Sequence, residues 1–154
     1  MAAKTLIIVP TYNECETLER FIATVDVAFP GVDFLVVDDN SPDGTGALAE
    51  EIAKRRTGVS VLHREKKEGL GAAYLHAFKH ALATHPASFI IQMDADLSHD
   101  PKYLPAIHEA LQSNDLVLGS RYVKGGGTES WGLMRKCISQ GGSLYTRIVL
   151  GMKI

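Results

Sequence analysis

The sequence predicts an α/β fold with a mostly parallel central sheet flanked by helices. Five short, almost wholly apolar runs alternate with longer stretches in which apolar residues recur every three to four positions. Apolar runs of this kind form strands that are covered on both faces, and their alternation with helical stretches is typical of β-α units. The 154 residues are enough for one domain with its own core.

The elements follow one another in a regular order. The predicted strands are TLIIV (5–9), DFLVV (33–37), VSVLH (59–63), SFIIQM (88–93) and DLVLG (115–119). The predicted helices lie in ECETLERFIATVDVAF (14–29), TGALAEEIAKRR (45–56), GAAYLHAFKHALATH (71–85), YLPAIHEALQS (103–113) and a last segment from Trp131 to about Leu150. Proline and glycine stand at the junctions, as they do where regular elements end. The glycine-rich stretch VKGGGTES (123–130) predicts a mobile loop.

Composition and charge exclude several classes of protein. The formal net charge of −2 gives no general attraction to nucleic acid. No apolar run approaches the roughly 20 residues that cross a bilayer, and the N-terminal MAAKTLIIVPTYNE lacks the pattern of a signal peptide. Cys15 and Cys137 form no CxxC pattern and are expected to be reduced thiols. The expected location is therefore the cytoplasm.

Polar residues gather directly after the predicted strands. In open parallel sheets, ligands bind beyond the carboxyl ends of the strands. The segments at those ends are PTYNE (10–14), DDNSPDGT (38–45), REKKEGLG (64–71), DADLSHD (94–100) and SRYVKGGG (120–127). Most of them are rich in acids, amides, hydroxyls or arginine, so this edge of the sheet predicts a binding site.

Asp94 and Asp96 follow the fourth predicted strand, two positions apart. Side chains two apart leave a strand on the same face, so both acids can point at one spot. Two carboxylates held together need a cation or a shared proton between them, and hard oxygen ligands suit Mg²⁺ or Mn²⁺. A turn in which Asp96 caps the next helix is the structural alternative, but Asp100 before Pro101 already offers that cap.

Other strand ends offer groups that suit a nucleotide. Asp38 and Asp39 can accept hydrogen bonds from a base or ribose, or help to hold a metal, although the Asn-Ser-Pro-Asp-Gly-Thr after them is strong turn chemistry. Tyr12 offers a flat surface for a base and Glu14 offers an acceptor, whereas the alternative role of this segment is capping of the first helix by Thr11 or Asn13.

Arginine residues suggest phosphate recognition. Arg121 directly follows the fifth predicted strand, where its planar fork suits phosphate oxygens and an ion pair with a neighbouring acid is the alternative. Arg135 and Ser139, one helical turn apart, offer a second phosphate-binding face. GLGAA (69–73) is an incomplete dinucleotide fingerprint, because Tyr74 stands where the third glycine belongs, and it indicates close helix packing instead.

Taken together, the motifs resemble those of the polyprenyl-phosphate mannosyltransferases, also called dolichol-phosphate mannose synthases. The motifs that carry the resemblance are VPTYNE, VVDDNSPDGT, GLGAAY, MDADLSHDP, GSRYVKGG and WGLMRKCIS, in that order. The resemblance implies a Rossmann-like GT-A nucleotide-sugar-binding domain over residues 1–154. It also implies the metal-dependent transfer of mannose from GDP-mannose to a polyprenyl (dolichyl) phosphate, with inversion and with Mg²⁺ or Mn²⁺ as the cofactor.

The resemblance further implies roles for single residues. Contacts with the donor nucleotide sugar would come from Pro10, Tyr12, Glu14, Val37, Asp39, Asp94, Ala95, Asp96 and Arg121. The metal ion would be held by Asp94, Asp96 and Ser98, although some relatives carry a glutamine at the last position. The lipid phosphate would be held by Arg121, Arg135 and Ser139. Asp96 and Arg121 would act in catalysis.

The implied chemistry needs no protein base. The acceptor is a phosphate monoester whose second pKa is about 6, so its dianion can attack the anomeric carbon at neutral pH. Attack opposite the leaving diphosphate inverts that carbon. Members of the family continue well past Ile154, so a C-terminal part of the domain is expected to be missing. Peripheral association with the cytoplasmic face of a membrane is expected through the acceptor or that missing part.

Other interpretations stay open on the sequence. A glucose or aminosugar donor, such as UDP-glucose, is the nearest alternative, because the preference for mannose and guanine rests on resemblance alone. A phosphotransfer receiver domain would use Asp38, Asp39, Asp94 and Lys124, but it expects the acidic pair after the first strand. A haloacid-dehalogenase-type phosphatase would use Asp94 as nucleophile, but normally on the first strand. A donor-binding module without catalytic activity is a further possibility.

Overall fold

The computed structural model describes residues 4–120 and 132–151. The strands are β1 (Thr5–Thr11), β2 (Asp33–Asp38), β3 (Val59–His63) and β4 (Phe89–Gln92). The helices are α1 (Leu18–Ala28), α2 (Thr45–Arg55), α3 (Leu70–Thr84), α4 (Leu104–Leu111) and α5 (Leu133–Leu150), with a 3₁₀ helix at Pro101–Tyr103 before α4. These elements lie where the sequence predicts them, within a few residues at each end.

The four strands form one parallel sheet in the order β3-β2-β1-β4. The chain runs outward from β1 through β2 to β3 and then crosses back to add β4 on the other side of β1. Thr11 of β1 pairs with Asp38 of β2, and Asp38 pairs with His63 of β3, so these three strands end level with one another. The reversal of strand order places a topological switch point between β1 and β4, where ligands bind in open α/β sheets.

Alternate residues of β1 are buried on opposite faces of the sheet. Ile7 and Val9 belong to the core cluster that also contains Phe21 of α1, whereas Leu6 and Ile8 belong to the cluster on the opposite face. All five side chains are fully buried. Burial on both faces explains why the strands read as continuous apolar runs, since a strand with one solvated face would alternate with polar residues.

Helix α3 covers the second face of the sheet with small side chains. Ala73, Ala77 and Ala81 recur every four residues and pack with Leu35 and Val37 of β2. Residues four apart lie on one face of a helix, and alanine there lets the helix approach the sheet closely. The close helix packing that GLGAA indicated is therefore confirmed at Ala73.

The prediction of a fifth strand at 115–119 is wrong for the part of the chain that the structure describes. Residues 115–119 adopt no regular structure, and the side chains of Leu116 and Leu118 are 73% and 56% exposed. An apolar run becomes a strand only when a neighbouring strand pairs with its backbone groups. The apolar pattern shows that a run could form a strand, but it does not show whether a neighbouring strand is there to pair with it.

Helix α5 lies in a separate compact unit, Leu118–Ile154, whereas the sheet lies in Met1–Val117. The sequence prediction of a last helix is confirmed at Leu133–Leu150, and Gly151 ends it in the left-handed region with φ of 64°. No helix within residues 4–120 and 132–151 is long and apolar enough to cross a membrane. The loop prediction for VKGGGTES falls outside the described residues.

Candidate functional site

Four polar segments meet at the carboxyl edge of the sheet. Residues 12–17 follow β1, residues 39–44 follow β2, residues 64–69 follow β3 and residues 93–100 follow β4. All four strands are parallel, so their carboxyl ends share one edge, as the sequence predicted. The fifth segment cannot be placed beside them, because residues 121–127 lie outside the described part of the chain.

The first of the two consecutive acids after β2 holds the local structure. Asp38 is 3% exposed, and both of its carboxylate oxygens are used within the protein. Oδ1 accepts hydrogen bonds from the hydroxyls of Ser41 at 2.5 Å and Thr11 at 3.4 Å, and Oδ2 accepts one from the Ser41 backbone N–H at 3.2 Å. Asn40 between them takes a φ of 57°, which asparagine tolerates better than most residues. Asp38 therefore closes the turn after β2.

The second acid, Asp39, forms a buried ion pair. Arg64 Nη1 lies 2.5 Å from Asp39 Oδ1, and the two side chains are only 6% and 8% exposed. Arg64 Nη2 also donates to Glu68 Oε2 at 3.1 Å. Oδ2 of Asp39 has no hydrogen-bond partner among residues 4–120 and 132–151. No side-chain oxygen or nitrogen in the described part of the chain is both shut off from solvent and unpaired, so this oxygen is open to solvent and is left as an acceptor.

Sequence reasoning named the segment 64–71 but did not single out Arg64. The signal was a charged residue directly after β3, next to a strand that ends in two acids. Parallel neighbours that end level bring such residues together. A long charged side chain at that position is almost never buried without a partner.

The loop after β1 is tied to the turn after β2. The backbone N–H groups of residues 13–15 donate in turn to Ser41 Oγ at 3.1 Å, Thr45 Oγ1 at 2.9 Å and Asp43 Oδ2 at 3.1 Å. The Thr45 hydroxyl also donates to Asp43 and, as the largest cause, holds the pKa of that carboxyl below its ordinary value. The turn-forming sequence after Asp39 therefore supports the neighbouring loop as well as itself.

Tyr12 and Glu14 lie in this loop. Tyr12 is 37% exposed, and the Lys67 ammonium sits 3.7 Å from the centroid of its ring. Glu14 Oε2 accepts a hydrogen bond from the Thr17 hydroxyl at 2.6 Å, and the Glu14 carbonyl accepts the backbone N–H of Leu18 at 3.0 Å. The N-cap residue of α1 is Thr17, so neither Thr11 nor Asn13 caps that helix as the sequence left open, and the Tyr12 ring remains partly accessible.

Three of the residues that the resemblance assigns to donor binding have side chains that are buried or half-buried. Val37 and Ala95 are buried within the two core clusters, and Pro10 is half-buried in β1. The side chains of Val37 and Ala95 fill the core, so a ligand can meet these residues through their backbone groups.

Asp94 and Asp96 lie on the outward side of the segment after β4. Met93 and Ala95 are buried, whereas Asp94 is half-buried and Asp96 is exposed, so the alternation of the strand continues past its last residue. The Met93 backbone N–H still donates to Ile8 of β1 at 3.2 Å, which continues the ladder towards the acids. Both carboxylates therefore leave the chain on the same side, next to the switch point.

A tight turn follows the second of these acids. Asp96 Oδ1 accepts the Ser98 backbone N–H at 2.8 Å, and this hydrogen bond is the main reason why the pKa of Asp96 is lowered from its ordinary value. Leu97 between them has a φ of 60°, which is costly for a residue with a bulky side chain. Asp100 caps the 3₁₀ helix by accepting the Lys102 backbone N–H at 3.1 Å, as the sequence predicted.

Asp94 is held by its neighbours in two ways. The Tyr74 hydroxyl donates weakly to Asp94 Oδ1 at 3.5 Å, and the Asp94 backbone N–H donates to His99 Nδ1 at 3.3 Å. Burial, together with the negative charge of Asp94, raises the pKa of Tyr74 far above neutrality. The phenol therefore stays protonated and acts as a donor to the carboxylate.

The acids fit a divalent metal ion that is shared with a ligand. No group of three or more His, Cys, Asp or Glu side chains is close enough to hold a metal among the described residues. Mg²⁺ is usually held by one or two carboxylates and completes its shell with water and substrate phosphates. Asp94 and Asp96 supply two carboxylates, and the exposed Ser98 hydroxyl lies beside them in the chain. The oxygen donors present match that kind of site.

The residues predicted to hold the lipid phosphate are placed only in part. Arg135 and Ser139 lie in α5, and their spacing of four residues puts them one helical turn apart as the sequence predicted. Arg121 lies outside the described residues. Their roles stay predictions.

Residues 6–152 match the family model described as "Glycosyl transferase family 2". The chain belongs to glycosyl transferase family 2. Three curated members are similar to it over almost its whole length. They are an undecaprenyl-phosphate mannosyltransferase of Micrococcus luteus (47% identical over 98% of the chain), a polyprenol monophosphomannose synthase of Mycolicibacterium smegmatis (46% over 98%) and a dolichol-phosphate mannosyltransferase of Pyrococcus furiosus (41% over 96%). The chain spans 62%, 57% and 41% of the length of these relatives, respectively.

Solved structures confirm the predicted fold class. A mannosyltransferase from Pyrobaculum calidifontis, solved with GDP-Man and Mn²⁺, matches 72% of this chain and 32% of its own with a TM-score of 0.60. A glucosyl-3-phosphoglycerate synthase from Mycobacterium tuberculosis, solved with Mn²⁺ and uridine diphosphate, matches 74% and 41% with a TM-score of 0.54. Both are 22% identical to the chain, which establishes the shared GT-A fold.

The family assignment decides between the broad interpretations of the sequence. The resemblance to the polyprenyl-phosphate mannosyltransferases is confirmed by the three relatives. Membership of family 2 argues against the receiver and phosphatase interpretations, and so does the position of the acids after β2 and β4 rather than β1.

Proposed function

We propose that this chain is the donor-binding part of a glycosyltransferase that moves mannose from GDP-mannose to a polyprenyl (dolichyl) phosphate with inversion. The observation that carries the proposal is the pair of outward-facing carboxylates, Asp94 and Asp96, at the switch point of a parallel sheet. Sequence identity of 41–47% with relatives named for mannose and for undecaprenyl, polyprenol or dolichol phosphate supports the choice of acceptor and sugar.

The nucleotide would bind beyond β1 and β2. Tyr12 offers the exposed part of its ring for stacking against the base, and stacking of a base on an aromatic side chain contributes about 1–3 kcal/mol. Asp39 offers Oδ2 to an N–H of the base or an O–H of the ribose. Pro10, Val37 and Ala95 would contribute backbone groups, and Glu14 would hold the loop through its contacts with the first turn of α1.

The diphosphate would lie near the end of β4. Asp94 and Asp96 would hold Mg²⁺ or Mn²⁺, with Ser98 beside them. When bound, the metal supplies positive charge that stabilises the leaving nucleoside diphosphate. The hydrogen bond from the Ser98 backbone N–H holds Asp96 Oδ1 in place, whereas the Tyr74 hydroxyl, 3.5 Å from Asp94 Oδ1, holds that carboxylate only weakly. Asp96 thus meets the ligand already oriented, which reduces the cost of binding.

The acceptor phosphate would be its own nucleophile. Arg121, Arg135 and Ser139 would hold the acceptor phosphate, and positioning of a nucleophile that is already ionised replaces a general base. The acceptor carries a long hydrocarbon chain, so the protein would act at the cytoplasmic face of a membrane.

Calorimetric titration of the chain with GDP-mannose, with Mn²⁺ or with chelator, tests the proposal. We expect binding that depends on Mn²⁺ and that weakens at least about tenfold in Asp96→Asn, because one of two carboxylate ligands is lost. Asp100→Asn is the matched control, since Asp100 lies in the same segment but caps the 3₁₀ helix. It should bind GDP-mannose as the unmodified chain does.

A parallel titration with UDP-glucose decides the donor. Preference for UDP-glucose would retain the metal site and replace mannose as the sugar. Equal GDP-mannose binding by Asp96→Asn with and without Mn²⁺ would refute the assignment of the metal site.

A further inference from the structure

We propose that Arg64 is a positioning residue of the donor site, which fixes the Asp39 carboxylate so that its Oδ2 faces the nucleotide. The proposal rests on the proposed function, because it states how one donor contact is held in place. It assigns a task to the 64–69 loop, defined here as the segment between β3 and α3.

The burial of the Asp39–Arg64 pair is the first observation. Both side chains are more than nine-tenths buried, and Arg64 Nη1 lies 2.5 Å from Asp39 Oδ1. Taking two charges out of water is costly, and the pair offsets that cost only if the remaining polar atoms are also satisfied. Oδ2 of Asp39 finds no such partner among the described residues. No side-chain oxygen or nitrogen in the described part of the chain is both shut off from solvent and unpaired, so Oδ2 is open to solvent at the carboxyl edge of the sheet, where a donor group of the ligand can reach it.

The neighbouring acid shows what a purely structural carboxylate looks like at this edge. Asp38 has the same surroundings in the sequence, yet its two oxygens accept hydrogen bonds from Ser41 and Thr11. Both oxygens of Asp38 thus have partners within the protein, whereas one oxygen of Asp39 has none among the described residues. The two consecutive acids therefore differ in the partners that the fold gives them, Ser41 and Thr11 for Asp38 and Arg64 for Asp39.

The 64–69 loop contacts both Asp39 and Tyr12, the two side chains that are proposed to bind the nucleotide. Besides the ion pair of Arg64, its Lys67 ammonium lies 3.7 Å from the centroid of the Tyr12 ring. The Glu65 carbonyl accepts a hydrogen bond from Asn40 Nδ2 at 3.1 Å. A single loop thus reaches across the ends of β2 and β1.

Both the guanidinium and the backbone of Arg64 are held by contacts with neighbouring residues. Nη1 binds Asp39, Nη2 donates to Glu68 at 3.1 Å, and the Arg64 backbone N–H donates to the Asp38 carbonyl at 2.8 Å. The planar fork of arginine can serve two carboxylates at fixed angles, whereas a lysine ammonium is a single flexible point charge. Arginine therefore sets the angle of the Asp39 carboxylate and does more than neutralise it.

A matched ion pair at the other end of the sheet provides the control. Arg56 Nη2 lies 2.5 Å from Asp26 Oδ1, and its guanidinium also bonds the Val32 carbonyl at 3.0 Å. This pair is partly buried and lies near the amino end of β2, away from the donor site. Arg56→Met and Arg56→Lys therefore report the loss of an ion pair without a change at the nucleotide.

The experiment measures GDP affinity by calorimetry and thermal stability in parallel, for Arg64→Met, Arg64→Lys and the two Arg56 variants. GDP lacks the sugar and isolates the nucleotide end. We expect Arg64→Met to weaken GDP binding about tenfold or more and Arg64→Lys to restore part of that loss, as for a charge-assisted hydrogen bond that is misaligned. The Arg56 variants should lower the melting temperature but keep GDP affinity within about twofold.

An Asp39→Asn background tests whether Arg64 acts through Asp39. In that background, Arg64→Met should weaken GDP binding by less than about threefold, because the contact it positions is already impaired. A full tenfold loss there would overturn the proposal, and so would equal GDP affinities for the Arg64 and Arg56 variants. If the unmodified chain binds neither GDP nor UDP, the proposed function is refuted. This inference is then refuted as well, because it rests on that function. If it binds GDP and only the Arg64 effect is absent, the inference alone fails.

Discussion

Replacing Gly46 with alanine is expected to destabilise the domain, whereas the same change at Gly71 is expected to stabilise it. Both glycines are the second residue of a helix, Gly46 in α2 and Gly71 in α3. A Cβ at Gly46 would lie 2.7 Å from Asp38 Oδ2 and 3.2 Å from His63 Cε1. A Cβ at Gly71 would meet no heavy atom within 4 Å.

The expected magnitudes follow from these contacts. Alanine in place of glycine within a helix gains up to about 1 kcal/mol of stability, and Gly71→Ala should show that gain. At Gly46 the Asp38 carboxylate cannot swing aside cheaply, because it is buried and held by Ser41 and Thr11. Overpacking a well-filled site costs about 1–3 kcal/mol. With the full gain in helix propensity subtracted, Gly46→Ala should therefore lose up to about 2 kcal/mol.

Urea denaturation followed by circular dichroism measures both variants. The transition midpoint should fall for Gly46→Ala and rise for Gly71→Ala with an unchanged slope, since neither change alters the surface exposed on unfolding. In thermal melts, a loss of up to about 2 kcal/mol in a domain of this size corresponds to up to about 8 °C.

A Gly46→Ala protein as stable as Gly71→Ala would refute the reasoning. Such a result would mean that the turn after β2 moves freely and that Asp38 does not hold it. A loss in Gly71→Ala would instead show that α3 meets a further part of the chain at that position.

Three further predictions concern the core, the pH dependence and the acceptor site. Phe21→Ala should cost about 3–5 kcal/mol in urea denaturation, whereas Val27→Ala on the exposed side of the same helix should stay within about 0.5 kcal/mol. The pKa of Asp43 is lowered chiefly by the Thr45 hydroxyl, so its stabilising contribution is present above the ordinary carboxyl range and is lost as the pH falls through the lowered pKa. Acid denaturation of Asp43→Asn should lack that component, and an unchanged acid limb would contradict this. Arg121→Ala should impair transfer to polyprenyl phosphate far more than it weakens GDP-mannose binding, because the resemblance assigns Arg121 to the lipid phosphate as well as to the donor; unimpaired transfer would contradict that assignment.

Much of the fold could be predicted because it depends on local patterns. Buried faces require apolar residues at regular positions. The continuous apolar runs of β1 to β4 and the apolar spacing of three to four in the helices therefore show in the sequence which faces are buried. The cap at Asp100 was also predictable, since capping involves only residues two positions apart.

The prediction of a fifth strand was wrong because the sequence alone does not show whether an apolar run has a neighbouring strand. Residues 115–119 have the apolar composition of a strand, but a strand also needs a neighbour whose backbone groups it can pair with. Pairing is a property of the assembled sheet.

By itself, the sequence determined the α/β class, the order of the elements and the concentration of polar residues at one edge of the sheet. Only the tertiary structure decided which of the two acids after β2 is left with an acceptor, because that depends on Ser41 and Thr11 around Asp38 and on Arg64 beside Asp39. Arg64 is 25 residues away from Asp39 in the chain. Two strands that run parallel and end level bring such distant side chains into contact, and a pattern read along one strand at a time cannot show that pairing.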